Sequence, residues 1–216
     1  MLTQVRASLY NKKSNKKLNI LLNVLIVLVV LVLAFEIYFT VNYSGVYVVG
    51  DSMLSTLTGA PNNNENEMGG DYVYASKHAK PTYGDIVVVR HEKEGYIIKR
   101  AIAFGGDRVK LVEGQLWLKK KGEDDFISVE EKYLVPANNN SSNTFCDNDE
   151  GYLVPEGHFF LLGDNRNVSR DSRYYGSFPL ESLDGVVTKW SLEHKSFCTG
   201  LYNYFRFQLP SYFGIK

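Results

Sequence analysis

The sequence contains few residues that bind metal ions or form cross-links. Its 216 residues include two cysteines, Cys146 and Cys198, and four histidines. Neither residue type has the short, regular spacing of a zinc or haem site; the histidines are His78, His91, His158 and His194. We therefore expect no metal ion and no other cofactor. The two cysteines fit an oxidising compartment, where they could form a disulfide or remain unconnected thiols.

An excess of positive charge is also missing, and this bears on the class of partner. The chain has 24 lysines and arginines against 24 aspartates and glutamates, and five of these cations precede Leu18 in a tail without acids. The rest of the chain therefore has 19 cations against 24 acids, a formal charge of −5. A basic tail on an acidic body argues against nucleic acid as a partner.

A long apolar segment follows the basic tail. Residues 18–40 read LNILLNVLIVLVVLVLAFEIYFT, with no charged residue before Glu36. About 20 apolar residues cross the hydrocarbon of a bilayer as a helix, so we expect a transmembrane helix here. A cleaved signal peptide would have a shorter apolar region and a cleavage site of small residues, which residues 34–36 match poorly.

The charges beside this segment predict its orientation. Lysines before the segment place residues 1–17 in the cytoplasm as a basic tail, by the positive-inside rule. Residues 41–216 then form an extracytoplasmic domain. The short link to the apolar segment keeps the start of this domain near the outer face of the lipid bilayer, which is one expected partner.

Helical periodicity is nearly absent after the apolar segment. Short strand-like runs separated by Gly, Pro and Asn turns predict an all-β body. Residues 86–89 and 96–103 should form two strands joined by a charged hairpin tip, and residues 109–118 a second hairpin. Residues from about 111 to 157 are the most irregular, and we interpret them as an inserted subdomain away from the chemistry. A closing strand is expected at residues 185–192.

The C-terminal segment is rich in aromatic residues. Core packing explains such a segment, and so does contact with the bilayer interface, because tyrosine beside apolar side chains suits both places. The aromatic residues are Phe197, Tyr202, Tyr204, Phe205, Phe207, Tyr212 and Phe213.

Three polar stretches carry the candidate chemistry. Residues 50–57 read Gly-Asp-Ser-Met-Leu-Ser-Thr-Leu and place Ser52 in a turn after a strand-like run. A serine nucleophile needs a base to take its proton and donors for the oxyanion. Lys99 lies in an apolar strand, where burial would lower the pKa of its amine from about 10.4 and make it a base. A lone lysine in a strand more often faces water.

The third stretch, residues 163–176, follows a buried strand. It alternates acids, hydroxyls and arginines, a grouping that suits internal ion pairs in a rigid loop. An exposed charged loop is the alternative interpretation.

Together the three stretches resemble the type I signal peptidases, membrane-anchored serine proteases that remove signal peptides from exported preproteins. Residues 50–57 are similar to the nucleophile box of that family and residues 96–107 to its lysine box. Residues 163–176 match its third box almost residue for residue. The resemblance implies a signal-peptidase-type antiparallel β-sheet core, with Ser52 as nucleophile and Lys99 as general base.

The resemblance also implies supporting roles. Ser169 would orient the Lys99 amine by a hydrogen bond, and the main-chain amide of Ser52 would donate to the oxyanion. Gly50 and Met53 would border the substrate groove. Charged residues would hold the site in place: Asp164, Arg166, Asp171, Arg173 and Arg100.

The chain departs from the family pattern in two turns. Ser55 and Gly105 stand where the family usually has proline, and loss of a φ-restricting ring predicts looser turns around the site. In addition, Gly50 lies two residues before Ser52 and has no side chain. A second oxyanion donor must therefore come from the backbone or from water.

The expected function is a membrane-bound signal peptidase that cleaves preproteins after small residues such as alanine. The changed turns leave an alternative, a signal-peptidase-like assembly factor or dedicated peptidase for the pilin subunits of a surface fibre, with weak or narrow cleavage. The presence of both Ser52 and Lys99 counts against complete inactivity.

Overall fold

The computed structural model describes residues 2–208, with side chains from residue 16 onward. The chain divides into two units, a helix that ends at Asn42 and a body that begins at Tyr43. Helix α1 is Leu2–Asn42, and its part Lys16–Asn42 is long and apolar enough to cross a membrane. No glycine or proline interrupts residues 18–42. The helix is compatible with a membrane-anchored protein.

The body consists mainly of antiparallel β-strands. In chain order these are β1 Tyr43–Tyr47, β2 Tyr72–Ser76, β3 Ile86–His91, β4 Gly95–Phe104, β5 Arg108–Val112, β6 Gln115–Lys119, β7 Ile127–Ser128, β8 Tyr152–Leu153, β9 His158–Leu162, β10 Phe178–Pro179 and β11 Leu183–Val187. Seven strands form a sheet in the order β1-β2-β11-β3-β4-β9-β10, and four form a smaller sheet in the order β7-β6-β5-β8. All these pairings are antiparallel, which confirms the predicted architecture.

Strands β3 and β4 lie in the middle of the larger sheet because they are apolar on both faces. Residues 86–89 of β3 are at most 3% exposed, as expected for a continuous run of β-branched side chains. Val88 packs in one core cluster with Met53, whereas Val87 packs in another with Phe159. Lys99 of β4 is paired with Val87, so its backbone lies well inside the sheet.

The smaller sheet contains the predicted second hairpin. Strands β5 and β6 are joined by Glu113 and Gly114, whose φ angles of +49° and +82° suit a two-residue hairpin turn. Apolar side chains of this hairpin, including Leu111 and Leu116, pack with Phe160 of β9. The smaller sheet is therefore held against the strand that leads into the third polar stretch.

The predicted closing strand at residues 185–192 is wrong in its second half. Strand β11 ends at Val187, and helix α3 spans Lys189–Glu193. The hydroxyl of Thr188 accepts a hydrogen bond from the amide of Ser191 and so caps the helix. The other helices in the described part of the body are α2 Ser172–Tyr175 and α4 Lys195–Asn203, and a π-helical turn spans Tyr204–Gln208. Three single 3-10 turns in the same part lie at Pro61–Asn63, Pro136–Asn138 and Leu180–Ser182.

Different residues of the aromatic C-terminal segment have different surroundings. Tyr202 stacks on Tyr72 of β2, with ring centroids 4.2 Å apart. Phe197 and Phe205 are instead 63% and 57% exposed. Core packing therefore explains part of the segment, and bilayer contact stays a prediction for the exposed part. Two more aromatic residues lie outside the described residues: Tyr212 and Phe213.

The two cysteines are separate thiols. Cys146 is half-buried in the segment between β7 and β8, whereas Cys198 is buried in α4, and neither belongs to a disulfide. Burial raises the pKa of both thiols. Of the two alternatives, the structure has unconnected thiols.

Candidate active site

Ser52 lies in a short turn that is fixed by its buried neighbours. The turn begins at Gly50, whose φ of +84° lies in the left-handed region that favours glycine. Met53 and Leu57 are at most 1% exposed, and the amide of Leu57 donates to the carbonyl of Met53 at 2.8 Å. These two side chains belong to a core cluster. They hold the turn, while Ser52 remains half-buried.

The prediction that Met53 borders the groove is therefore wrong. Met53 is 0% exposed and packs in the core. The helical turn places residues 53 and 57 on the same side, and that side faces inward. Gly50 does line the open groove beside Ser52.

Lys99 lies next to Ser52. Its Nζ atom is 2.7 Å from Ser52 Oγ and 3.0 Å from the carbonyl oxygen of Ile98, and the residue is 4% exposed. Desolvation lowers the pKa of the amine to about 8, although Asp171 and Asp164 act in the opposite direction. The amine thus has both properties that a general base needs, a pKa not far above neutral pH and a position within hydrogen-bond distance of the hydroxyl.

The third polar stretch supports the Ser52 turn from behind. The amide of Asn165 donates to the carbonyl oxygen of Ser52 at 3.0 Å. A Cβ atom on Gly163 would lie 2.5 Å from the same oxygen and would collide with the side chain of Ser169. Glycine is therefore required for this close approach of two backbones.

Two ion pairs of the third stretch involve residues expected to support the site. Asp171 pairs with Arg173 at 2.9 Å, accepts from the amide of Gly163 at 3.0 Å, and caps the short helix α2, Ser172–Tyr175. Asp164 pairs with Arg100 of β4 at 2.5 Å. Because Arg100 follows Lys99 in the chain, the second pair fixes the third stretch beside the strand that carries the amine.

Arg166 has a partner that the sequence did not predict. Its side chain is 0% exposed and lies 2.5 Å from the carboxylate of Glu131, which is 5% exposed. The hydroxyl of Tyr133 donates to the same carboxylate. The ring of Tyr133 also lies 3.7 Å from the guanidinium of Arg100, a distance at which a cation and a ring attract each other.

The inserted region therefore does not lie away from the chemistry, as residues 111–157 were expected to. Residues 131–138, which we call the strap, cross both the Ser52 turn and the third stretch. Asn138 donates to the carbonyl of Leu54 at 3.0 Å, and Asn167 donates to the carbonyl of Ala137 at 2.9 Å. The physical reason is that the smaller sheet packs on β9, so the chain that leaves β7 returns past the loop that follows β9.

The two turns that lack proline, which were predicted to be looser, each contain side-chain hydrogen bonds. The hydroxyl of Ser55 donates to the carbonyl oxygen of Tyr133 in the strap at 2.9 Å. The turn at Gly105 is closed by Asp107, whose carboxylate accepts from the amide at the start of the turn and from the hydroxyl of Tyr83, both at 2.8 Å.

Ser169 does not make its expected contact. Its Oγ atom is buried and has no hydrogen-bond partner among the described residues. The amine of Lys99 is directed instead at Ser52 and at the carbonyl of Ile98. The hydroxyl of Ser169 thus lies beside Gly163 without bonding the amine.

A groove of about 910 Å³ opens over Ser52 and Lys99. Val46, Val48 and Ile98 supply apolar walls, and charged side chains, among them Asp51, Glu65 and Arg170, also line the groove. Within the described part of the chain, no cluster of three His, Cys, Asp or Glu side chains is placed to hold a metal ion.

Comparisons with known proteins agree with the sequence motifs. The family profile described as "Signal peptidase, peptidase S26" matches residues 20–191. Signal peptidase I of Streptococcus pneumoniae serotype 4 is 29% identical over 179 residues, which cover 66% of this chain and 79% of that protein. Thylakoidal processing peptidase 1 of Arabidopsis thaliana is 33% identical over 132 residues, which cover 54% of this chain and 35% of that protein.

The chain thus spans about a third of the length of the thylakoidal relatives that it matches. Among solved structures, a crystal structure of a signal peptidase I from Enterococcus faecalis V583 is similar, with 32% sequence identity and a TM-score of 0.42. The match covers 51% of this chain and 98% of that chain.

Replacing Ser55 by proline should destabilise the protein. Ser55 has a φ of +98°, which proline cannot adopt because its ring holds φ near about −65°. We expect the free energy of unfolding to fall by more than about 1 kcal/mol, measured by urea denaturation. Ser55→Gly keeps the positive φ and is the matched control; it should lose no more than about 1 kcal/mol with the hydroxyl. A stable Ser55→Pro variant would contradict the observed turn.

Removing Glu131 should destabilise the protein strongly. Glu131→Ala leaves the buried guanidinium of Arg166 without a counter-charge, which costs about 3–5 kcal/mol. Glu130→Ala is the control, because the side chain of Glu130 is 79% exposed and only 3.8 Å from an equally exposed Lys132. It should change stability by less than about 0.5 kcal/mol. Similar denaturation midpoints for both variants would show that the buried pair has no special role.

Proposed function

Because the chain belongs to the signal peptidase family, peptidase S26, we propose that it is a serine endopeptidase that removes signal peptides from exported preproteins. The observation that carries this proposal is the 2.7 Å separation of Ser52 Oγ and Lys99 Nζ, with the amine almost fully buried. Family membership gives the class of reaction, and this contact supports an active chain.

In the proposed reaction, the neutral amine of Lys99 takes the proton of Ser52 as its oxygen attacks the carbonyl after a small residue. The main-chain amide of Ser52 donates to the oxyanion that forms. Protonated Lys99 then gives its proton to the leaving amine as the scissile C–N bond breaks. The acyl group stays on Ser52 as an ester. Water, deprotonated by Lys99, attacks this ester and regenerates the hydroxyl.

The strand arrangement supports binding of the substrate as an extended peptide. Strand β9 pairs with β4 from Arg100 onward, whereas β3 pairs with β4 from Gly95 to Arg100. On the β9 side of β4, the main-chain groups of residues 96–99 are therefore not paired with β9, and this free edge lies beside the groove. A peptide can add to such an edge by main-chain hydrogen bonds, with its small side chain directed into the groove.

We propose that helix α1 anchors the catalytic body outside the cytoplasm. Lys16 and Lys17 precede the apolar segment, and cationic residues favour the cytoplasmic side. In this proposal residues 1–17 are a cytoplasmic tail, residues 18–40 span the lipid bilayer, and residues 41–216 are the catalytic domain with the subdomain at 111–157.

The alternative function, an assembly factor or dedicated peptidase for pilin subunits, has no specific observation in its favour among the described residues. The close contact of Ser52 and Lys99 supports cleavage and counts against a factor that only binds its clients. Pilin precursors are therefore proposed only as one group of substrates to be compared with other preproteins.

The deciding experiment is cleavage of a preprotein by the full-length protein in detergent or lipid. Ser52→Ala and Lys99→Ala should each lower kcat/KM by at least about 10³-fold, since the two residues act as one unit. Lys93→Ala, which changes an exposed lysine at the β3–β4 tip, is the control and should cleave like the wild type. If all four proteins cleave alike, or if none does, the proposed function is wrong. A pilin precursor assayed in parallel distinguishes a general from a narrow range of substrates.

The pH dependence of cleavage tests the role of Lys99. Only the neutral amine can accept the Ser52 proton, and desolvation lowers its pKa to about 8. We expect kcat/KM to rise about tenfold per pH unit below that value and to level off above it. A rate that is already constant well below the pKa of Lys99 would exclude this amine as the base.

A further inference from the structure

The segment between the Ser52 turn and β2 returns alongside Gly50. We call residues 58–70 the asparagine loop. The amide of Ala60 donates to the carbonyl oxygen of Val48 at 3.0 Å, and a Cβ atom on Gly59 would collide with the main chain of Gly50. The loop is therefore packed against the backbone that immediately precedes Ser52.

Glu67 fixes the tip of the asparagine loop. Its carboxylate accepts from the side-chain amides of Asn62 and Asn64 at 3.2 and 3.0 Å, and its carbonyl accepts from the hydroxyl of Tyr47 at 2.5 Å. Asn63 lies between the two tethered asparagines. Its own carboxamide has no hydrogen-bond partner among the described residues. The tethers thus hold the loop and leave one amide available.

The free carboxamide lies beside Gly50. The Oδ1 atom of Asn63 is 3.4 Å from the position that a Cβ atom on Gly50 would occupy. The carboxamide of Asn63 therefore lies at van der Waals distance from the position where a side chain at residue 50 would begin. The N and O atoms of a carboxamide exchange places by rotation of the amide, so Nδ2 can take the same position.

Asn63 also borders the groove that contains Ser52 and Lys99. Among the described residues that line this groove, it is the only carboxamide. The main-chain amide of Ser52 makes no hydrogen bond with another described residue, so it is one free donor at the reacting centre. A tetrahedral oxyanion is stabilised by more than one donor directed at its oxygen, and Gly50 supplies none from a side chain.

We propose that the Nδ2 group of Asn63 is a second hydrogen-bond donor to the oxyanion formed at Ser52. This inference rests on the proposed peptidase function and adds a catalytic residue to it. Asn63 transfers no proton and forms no covalent bond. It donates a hydrogen bond that strengthens as negative charge develops on the substrate oxygen, and so it lowers the barrier without tightening ground-state binding.

The first test uses Asn63→Ala and Asn63→Asp in the full-length protein with a preprotein substrate. Both variants remove the N–H donors, and aspartate keeps the size of the side chain and tolerates a positive φ. We expect kcat to fall about 10²–10³-fold, with KM nearly unchanged. The midpoint of the pH profile of Asn63→Ala should not move, because Lys99 remains the base, whereas the added carboxylate of Asn63→Asp should shift it upward.

Asn62→Ala is the matched control. Asn62 has a φ of +54° and Asn63 of +53°, so alanine has the same backbone cost at either position. Asn62→Ala also breaks a tether to Glu67. If a loosened loop caused the loss of activity, this variant would lose at least as much as Asn63→Ala. We expect its kcat to stay close to that of the wild type.

The second test compares a peptide aldehyde with the corresponding peptide alcohol. The aldehyde forms a hemiacetal with Ser52 and so carries the oxygen that mimics the oxyanion, whereas the alcohol has no carbonyl carbon at that position and forms no adduct. Asn63→Ala should weaken aldehyde inhibition by about the same factor as kcat, and alcohol binding by little. If Asn63→Ala keeps wild-type kcat, or loses no more than Asn62→Ala, the inference is wrong. That result would leave the Ser52 and Lys99 variants inactive and the proposed function intact, whereas activity in Ser52→Ala would overturn the function itself.

Discussion

The contact between the Lys99 amine and the Ser52 hydroxyl depends on burial in a sheet that is apolar on both faces. Desolvation lowers the pKa of the amine, and the carboxylates of Asp171 and Asp164 raise it. Each of these carboxylates is engaged by an arginine, which neutralises part of its effect on the lysine. The site thus keeps acids close enough to fix its loops without returning the pKa of the amine to its ordinary value.

The buried ion pairs place loops rather than add stability. A buried ion pair gains little over well-packed apolar side chains, because both charges lose their hydration. These ion pairs instead connect separate parts of the chain. Arg100 of β4 pairs with Asp164 of the third stretch, and Arg166 of that stretch pairs with Glu131 of the strap. The third pair, Asp171 with Arg173, rigidifies the stretch internally. The backbone that supports Ser52 is thereby held from two directions.

The sequence predicted the parts of the site that follow from local pattern. Strands β3 and β4 follow from apolar runs, and the placement of Ser52 follows from a glycine turn. The position of the strap could not be predicted from the sequence. Glu131 lies in a charged run that is typical of a solvated loop, and only tertiary packing buries it. The wrong prediction for Met53 has a related cause: a motif position does not say which side of a turn faces the core.

Two residues of the nucleophile box, Ser55 and Gly50, lie against parts of the chain outside that box. Ser55 replaces a proline that would restrain the turn locally, and the strap restrains the turn instead through Tyr133 and Asn138. Gly50 lacks a side chain beside the nucleophile, and the carboxamide of Asn63 lies next to it. In both cases a residue of the box has a neighbour in space from a loop outside it. The motif and the loops that pack on it therefore form one unit, and the effect of a motif substitution depends on which loop lies against it.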